Sequence, residues 1–130
     1  MLVIDASAAL DAAQFEGGFR HFQGQELCAP CLMWSEARSA LHEQLWRGVI
    51  EPGDAQQVLA LIESGPIRER RHGRLADEAW RIAEEFGWAK TYDAEYVALA
   101  RLLRCPLVTG DERLHRRTRD LGFVIMPDEL

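Results

Sequence analysis

Asp5, Glu36, Asp93 and Asp111 each fall where a short apolar run has just ended or a helical stretch has just begun. Helices of a parallel α/β domain run antiparallel to its strands. Strand ends and helix starts therefore converge on the carboxyl edge of the sheet, where open α/β sheets bind their ligands. Asp5 closes the run Leu2–Ile4, and Asp111 follows Thr109 and Gly110. Glu36 stands near the start of the helix after the second run, and Asp93 in the first turn of the helix before the fourth. An inward carboxylate must be neutralised by a proton, an arginine or a metal, and four at one edge favour a cation. Oxygen-only ligation points to Mg²⁺ or Mn²⁺, one or two ions, because zinc sites recruit histidine or thiolate. His21, His42, His72 and His115 have no metal-ligand spacing among themselves. Hard cations in an acidic cleft suit phosphodiester hydrolysis, one activating water and a second, where present, stabilising the leaving oxygen.

Local spacing supports the inward direction. Asp93 shares a helical face with Tyr96, Val97 and Ala100, and Glu36 with Met33 and Ala40.

The positioning elements follow from an alternation of short apolar runs with amphipathic stretches, the pattern of a parallel sheet covered by helices. Strands are expected at Leu2–Ile4, Leu27–Ala29, Ile67–Arg70, Pro106–Thr109 and Phe123–Met126. Helices are expected over 32–47, 53–64, 73–86 and 91–104. The second opens on Pro52 and places Ala55, Val58, Leu59 and Ile62 at one face, and Pro106 stops the last. Thr91 reads as a helix cap. Gly17, Gly18 and Gly24 make 15–25 the loosest segment, with room for a short helix. No repeat or linker divides residues 1–130, which read as one domain with enough apolar content (48%) for a core.

Bulk properties narrow the function classes. No stretch approaches a membrane span, and the N-terminus lacks the basic region of a secretory leader. Three cysteines, an odd count, read as reduced thiols in a cytoplasmic protein. A net charge of −6 argues against a simple nucleic-acid coat. Yet Arg68, Arg70, Arg71 and Arg74 face only Glu69 within their segment, and Arg113, Arg116, Arg117 and Arg119 have no acid among them. Each cluster is either a solvated face or a contact for a phosphate backbone.

The assembled segments resemble the PIN-domain nucleases, and within them the small toxins of VapC-type toxin–antitoxin pairs. The matching pieces are Val3–Ala8, Ala29-Pro30 followed by Glu36 and Leu41, Thr91–Ala100 and Leu107–Leu114, in the family's order and over the whole chain. The resemblance implies a single-domain, Rossmann-like α/β/α sandwich whose five-stranded parallel sheet has the order 3-2-1-4-5. It also implies a Mg²⁺- or Mn²⁺-dependent endoribonuclease, with Asp5, Glu36, Asp93 and Asp111 as catalytic metal ligands. Ser7 and Thr109 match positions that support the metal site through their hydroxyls. Ser39 stands where the family often has asparagine, and is expected to support the site with altered geometry. A homodimer and inhibition by a small antitoxin protein reaching into the cleft are implied as well. The alternative is a non-catalytic PIN-fold module with a weakened metal site, binding RNA or a protein partner.

Two other signals compete. Cys28-Ala-Pro-Cys31 resembles a thioredoxin-type redox motif, but no other landmark of that fold accompanies it, and Cys28 reads as a buried strand residue. A phospho-receiver domain needs an acidic pair after the first strand and an acceptor aspartate after the third, and this chain has neither. Trp34, Trp46, Trp80, Trp88, Tyr92 and Tyr96 read as core or interface residues rather than base-stacking groups, with Tyr92 near the cleft. Glu95 and Glu112 read as solvated neighbours of the site acids.

Overall fold

The computed structural model describes all 130 residues. Five strands, β1 (Leu2–Ile4), β2 (Leu27–Ala29), β3 (Ile67–Glu69), β4 (Leu107–Val108) and β5 (Val124–Ile125), form one sheet in the order β3-β2-β1-β4-β5. Every pairing is parallel, with Leu2 opposite Leu27 and Ile4 opposite Val108. The expected order holds. The chain leaves β1 toward β2 on one side and returns to β4 on the other, so β1 and β4 flank the point where the winding reverses. That reversal opens a crevice at the strands' carboxyl ends.

The helices are α1 (Ala6–Gln14), α2 (Leu32–Trp46), α3 (Pro52–Ser64), α4 (Leu75–Phe86), α5 (Tyr92–Leu103) and α6 (Glu112–Arg117). α1, α2 and α3 pack on one another, while α4 pairs with α5, which also lies against β1 and β4. The two groups make an α/β/α sandwich. α5 is the central helix: Ala94 and every residue from Tyr96 to Ala100 are buried. Glu78 of α4 ties it in place through Arg101 at 2.9 Å.

Four helices match the sequence expectation to within two residues at each end. α1 and α6 were not anticipated. α1 buries Ala8, Ala9, Ala12 and Ala13, so its helical period is carried by small residues that give little contrast in the sequence. Asp5 caps its N-terminus, and α6 is a short helix capped in the same way by Asp111. The glycine-rich segment contains a 3₁₀ turn over Gly18–Phe22. Thr91 occupies the N-cap position of α5, but its side chain makes no capping bond. Trp46 and Trp80 are exposed rather than in the core. No helix is long and apolar enough to cross a membrane.

α5 ends on Arg104 in the left-handed conformation, φ 55°, the one non-glycine residue with positive φ. Glycine adopts that conformation without the clash of a Cβ. Arg104→Gly should therefore stabilise the fold by about 0.5–1 kcal/mol, read as a higher urea midpoint at unchanged slope.

Candidate active site

Asp5 is the most constrained of the four acids. It follows β1 directly, its backbone N–H donates to Val108 O across the β1–β4 seam, and only 5% of it is exposed. Oδ1 accepts from the Ser7 hydroxyl at 2.7 Å and from the Ala8 N–H at 2.9 Å, and Oδ2 accepts from the Thr109 hydroxyl. Each hydroxyl is in turn held by the backbone after β4. Gly110 N donates to Ser7 Oγ and Asp111 N to Thr109 Oγ1, both at 3.0 Å. A hydroxyl has one proton to give, so committing it to Asp5 leaves its lone pairs for these N–H groups. Two parallel relays thus stitch α1 to the β4–α6 turn, with Ser7 and Thr109 both bonded to Asp5.

Gly110 is required for that closeness. A Cβ at this position would lie 2.6 Å from Asp11 Oδ2 and 3.4 Å from Ser7 Oγ. Sequence reasoning did not single out Asp11, one turn along α1 from Ser7. The signal available was its i+4 spacing, which puts it on the same face.

The other three acids come from separate elements. Asp111 caps α6, with Oδ1 accepting from Arg113 N at 2.8 Å and Leu114 N at 3.3 Å. Glu36, in the second turn of α2, accepts at Oε1 from the Tyr96 hydroxyl at 2.6 Å. Asp93 stands in the first turn of α5 with no protein donor on either oxygen. Tyr96 was read as a core side chain, and its hydroxyl partner was missed. It lies one turn beyond Asp93 on the same face, and a buried phenol needs a hydrogen-bond partner. Ser39 makes no hydrogen bond that would support the site in this structure. It is exposed on α2 one turn beyond Glu36, where its short side chain makes no hydrogen bond to any of the four acids.

Electrostatics link the acids pairwise, with Asp93 at the hub. Burial raises the Asp5 carboxyl to about 6, against the opposing hydroxyl and amide bonds, and the charge of Asp93 adds to the rise. Asp93 is raised by burial and then by Asp111, while Arg117 pulls it down. Burial likewise raises Glu36, opposed by the Tyr96 bond and aided by Asp93. Glu95, read as solvated, is half-buried and raised by burial and by Glu36. Glu112 is exposed, as expected.

The setting of Cys28 does not favour a redox role for the cysteine motif. Cys28 is buried in β2, and burial pushes its thiol up to about 11, away from the thiolate that exchange requires. Of the basic clusters, Arg71 is paired with Glu69 at 2.9 Å, whereas Arg117 lies over the Trp88 ring beside the acids.

Known proteins resemble this chain in sequence and fold. The family model for the PIN domain matches residues 2–120. The chain belongs to the PIN-domain family. Across 88% of both chains this PIN domain is 36% identical to VapC ribonuclease Mb0985 of Mycobacterium bovis, and equally to Ribonuclease VapC9 of Mycobacterium tuberculosis. It is 33% identical, over 86% of each chain, to Ribonuclease VapC1 of Mycobacterium tuberculosis. Among solved structures, PAE2754 from Pyrobaculum aerophilum superposes with a TM-score of 0.77. It has 27% identity, and the match covers 98% of this PIN domain and 91% of that chain.

Proposed function

We propose that this protein is a divalent-metal-dependent endoribonuclease, the toxin of a VapC-type toxin–antitoxin pair, with Asp5, Glu36, Asp93 and Asp111 holding Mg²⁺ or Mn²⁺. Family membership and the ribonuclease names of its relatives support the hydrolase class. The observation that carries the metal assignment is the free valence of the acids. Asp93 has both oxygens free of protein donors, Glu36 keeps Oε2 and Asp111 keeps Oδ2. Asp5 accepts three bonds where a carboxylate has about four lone-pair sites, leaving one. Burial and mutual repulsion raise Asp5, Glu36 and Asp93, and a cation relieves both costs. The donor set is all oxygen, which fits a hard ion.

When bound, such an ion supplies Lewis-acid activation of water and neutralises charge developing on a phosphodiester. The chain's own residues do the rest. Ser7 and Thr109 fix the Asp5 carboxylate, Tyr96 fixes Glu36, and the cap bonds to Arg113 and Leu114 fix Asp111. Arg117, exposed at the rim beside Asp93, faces the approach of a phosphate backbone. The RNA substrate, a small antitoxin protein that blocks the cleft, a homodimeric assembly and a cytoplasmic setting complete this reading.

The rival reading is a non-catalytic PIN fold with a weakened metal site that binds RNA or a protein partner. Calorimetric titration with Mn²⁺ separates the two. The nuclease reading expects saturable binding at sub-millimolar concentration, reduced in Asp111→Asn, and no binding in that range would favour the rival. Tyr96→Phe should lower Mn²⁺ affinity by roughly tenfold or more, as loss of a ligand-orienting partner does. The same change should destabilise the fold by about 1–2 kcal/mol, because it removes a hydrogen bond to a carboxylate.

A further inference from the structure

Beside Glu36 and Asp93 opens a cavity of about 340 Å³, walled by Trp88, Lys90, Tyr92 and Arg117. Two aromatic rings and two cations line it together with the two acids. Trp88 is half-buried and stacked on Phe86, with ring centroids 5.1 Å apart and planes 25° from parallel. The Arg117 guanidinium lies 4.8 Å from the centre of the Trp88 ring. Arg117 has no carboxylate ion partner within 4 Å, so this stacking is what orients it, and its N–H fork remains available. Tyr92, the first residue of α5, is 52% exposed, and its ring is not stacked on another aromatic side chain. Lys90, the chain's single lysine, is exposed two residues before it.

An exposed aromatic face next to two cations, contiguous with acids that handle a phosphodiester, matches the chemistry of an unpaired nucleotide. Single-stranded RNA is bound by stacking bases on aromatic rings while cations take the phosphates. A volume of this size is at the lower end of small-molecule sites, enough for one nucleotide and not for a duplex. We propose that this cavity is a nucleotide subsite adjoining the scissile bond: Tyr92 stacks the base, Arg117 and Lys90 contact the phosphate, and Trp88 positions Arg117. The assignment rests on the ribonuclease reading for its substrate class and restricts that class to RNA unpaired next to the cut.

The test reads binding rather than cleavage, in an Asp5→Asn background, because Asp5 does not line the cavity. Fluorescence anisotropy in Mg²⁺ compares a short single-stranded oligoadenylate with a strand of equal length made of abasic residues, which keeps the phosphates and removes the bases. The intact strand should bind about tenfold tighter, within the range of base–aromatic stacking. Tyr92→Ala should erase that preference and Tyr92→Trp retain it. Arg117→Gln should weaken both strands alike and flatten the salt dependence. A preference that survives Tyr92→Ala, equal binding of the two strands, or no binding of either overturns the subsite. If the preference behaves as expected while the wild-type protein neither cuts RNA nor binds Mn²⁺, the cavity stands as a nucleotide-binding site and the nuclease reading fails.

Discussion

Replacing Asp93 by asparagine should reduce RNA cleavage by more than about a hundredfold, beyond the loss expected for an outer partner of a metal ligand, while leaving the fold intact. Asp93 is the acid to which Asp5, Glu36 and Asp111 are all coupled, and it alone has both oxygens free of protein donors. Its carboxylate makes no hydrogen bond within the protein, so an amide of the same shape costs the fold little. What the substitution removes is one negative charge at the hub of the set. The expected signature is therefore a loss of cleavage and of Mn²⁺ affinity together, with a stability in urea at or above that of wild type, because burial already raises the Asp93 carboxyl. Cleavage that persists with weakened metal affinity would move the catalytic role to the other three acids.

The second large effect is a gain in stability. The Asp5 carboxyl titrates at about 6 in the folded protein against 3.8 for an ordinary aspartate, so the fold binds its proton more tightly than the unfolded chain does. Its contribution to stability is complete below about pH 3.8 and is lost as pH rises through about 6, a difference of roughly 3 kcal/mol. At neutral pH the metal-free protein thus carries the cost of a buried charge. Asp5→Asn removes that charge and keeps a good N-cap for α1, although the new amide group no longer accepts from Thr109. In chelator, the variant should be more stable than wild type by about 1–3 kcal/mol at pH 7.5, with the gap closing or reversing at pH 4.5. Urea denaturation at the two pH values measures it. A variant less stable by the same amount at both would make Asp5 a structural carboxylate. Paired with lost cleavage, the expected result would be the trade of stability for activity common at functional sites.

The placement of the acids was legible because β-strand ends and helix starts leave marks a single sequence carries. Leu2–Ile4 before Asp5 and the apolar period after Asp93 are both short-range patterns. The sheet order came from the likeness of the segments to a known family, since apolar runs name strands but not their neighbours. The parts not legible depend on contacts between distant residues. Tyr96 and Glu36 are 60 residues apart, and nothing local to either announces the bond between them. α1 was hidden by its alanines, whose burial leaves only a weak periodic contrast. Ser39 illustrates the converse: the likeness of the segments assigned it a supporting role, and on α2 it is exposed and makes no hydrogen bond to the acids. Trp88 and Arg117 are each unremarkable in sequence, and their stacking exists only because α6 returns beside the α4–α5 turn.

The most direct test of the central claim is incubation of the purified protein with a panel of structured RNAs, transfer RNAs among them, in Mg²⁺, in Mn²⁺ and in chelator, beside the Asp93→Asn variant. The account predicts discrete cuts that require the metal and vanish in the variant. Cutting that persists in chelator, or an absence of cutting together with no measurable Mn²⁺ binding, would contradict it.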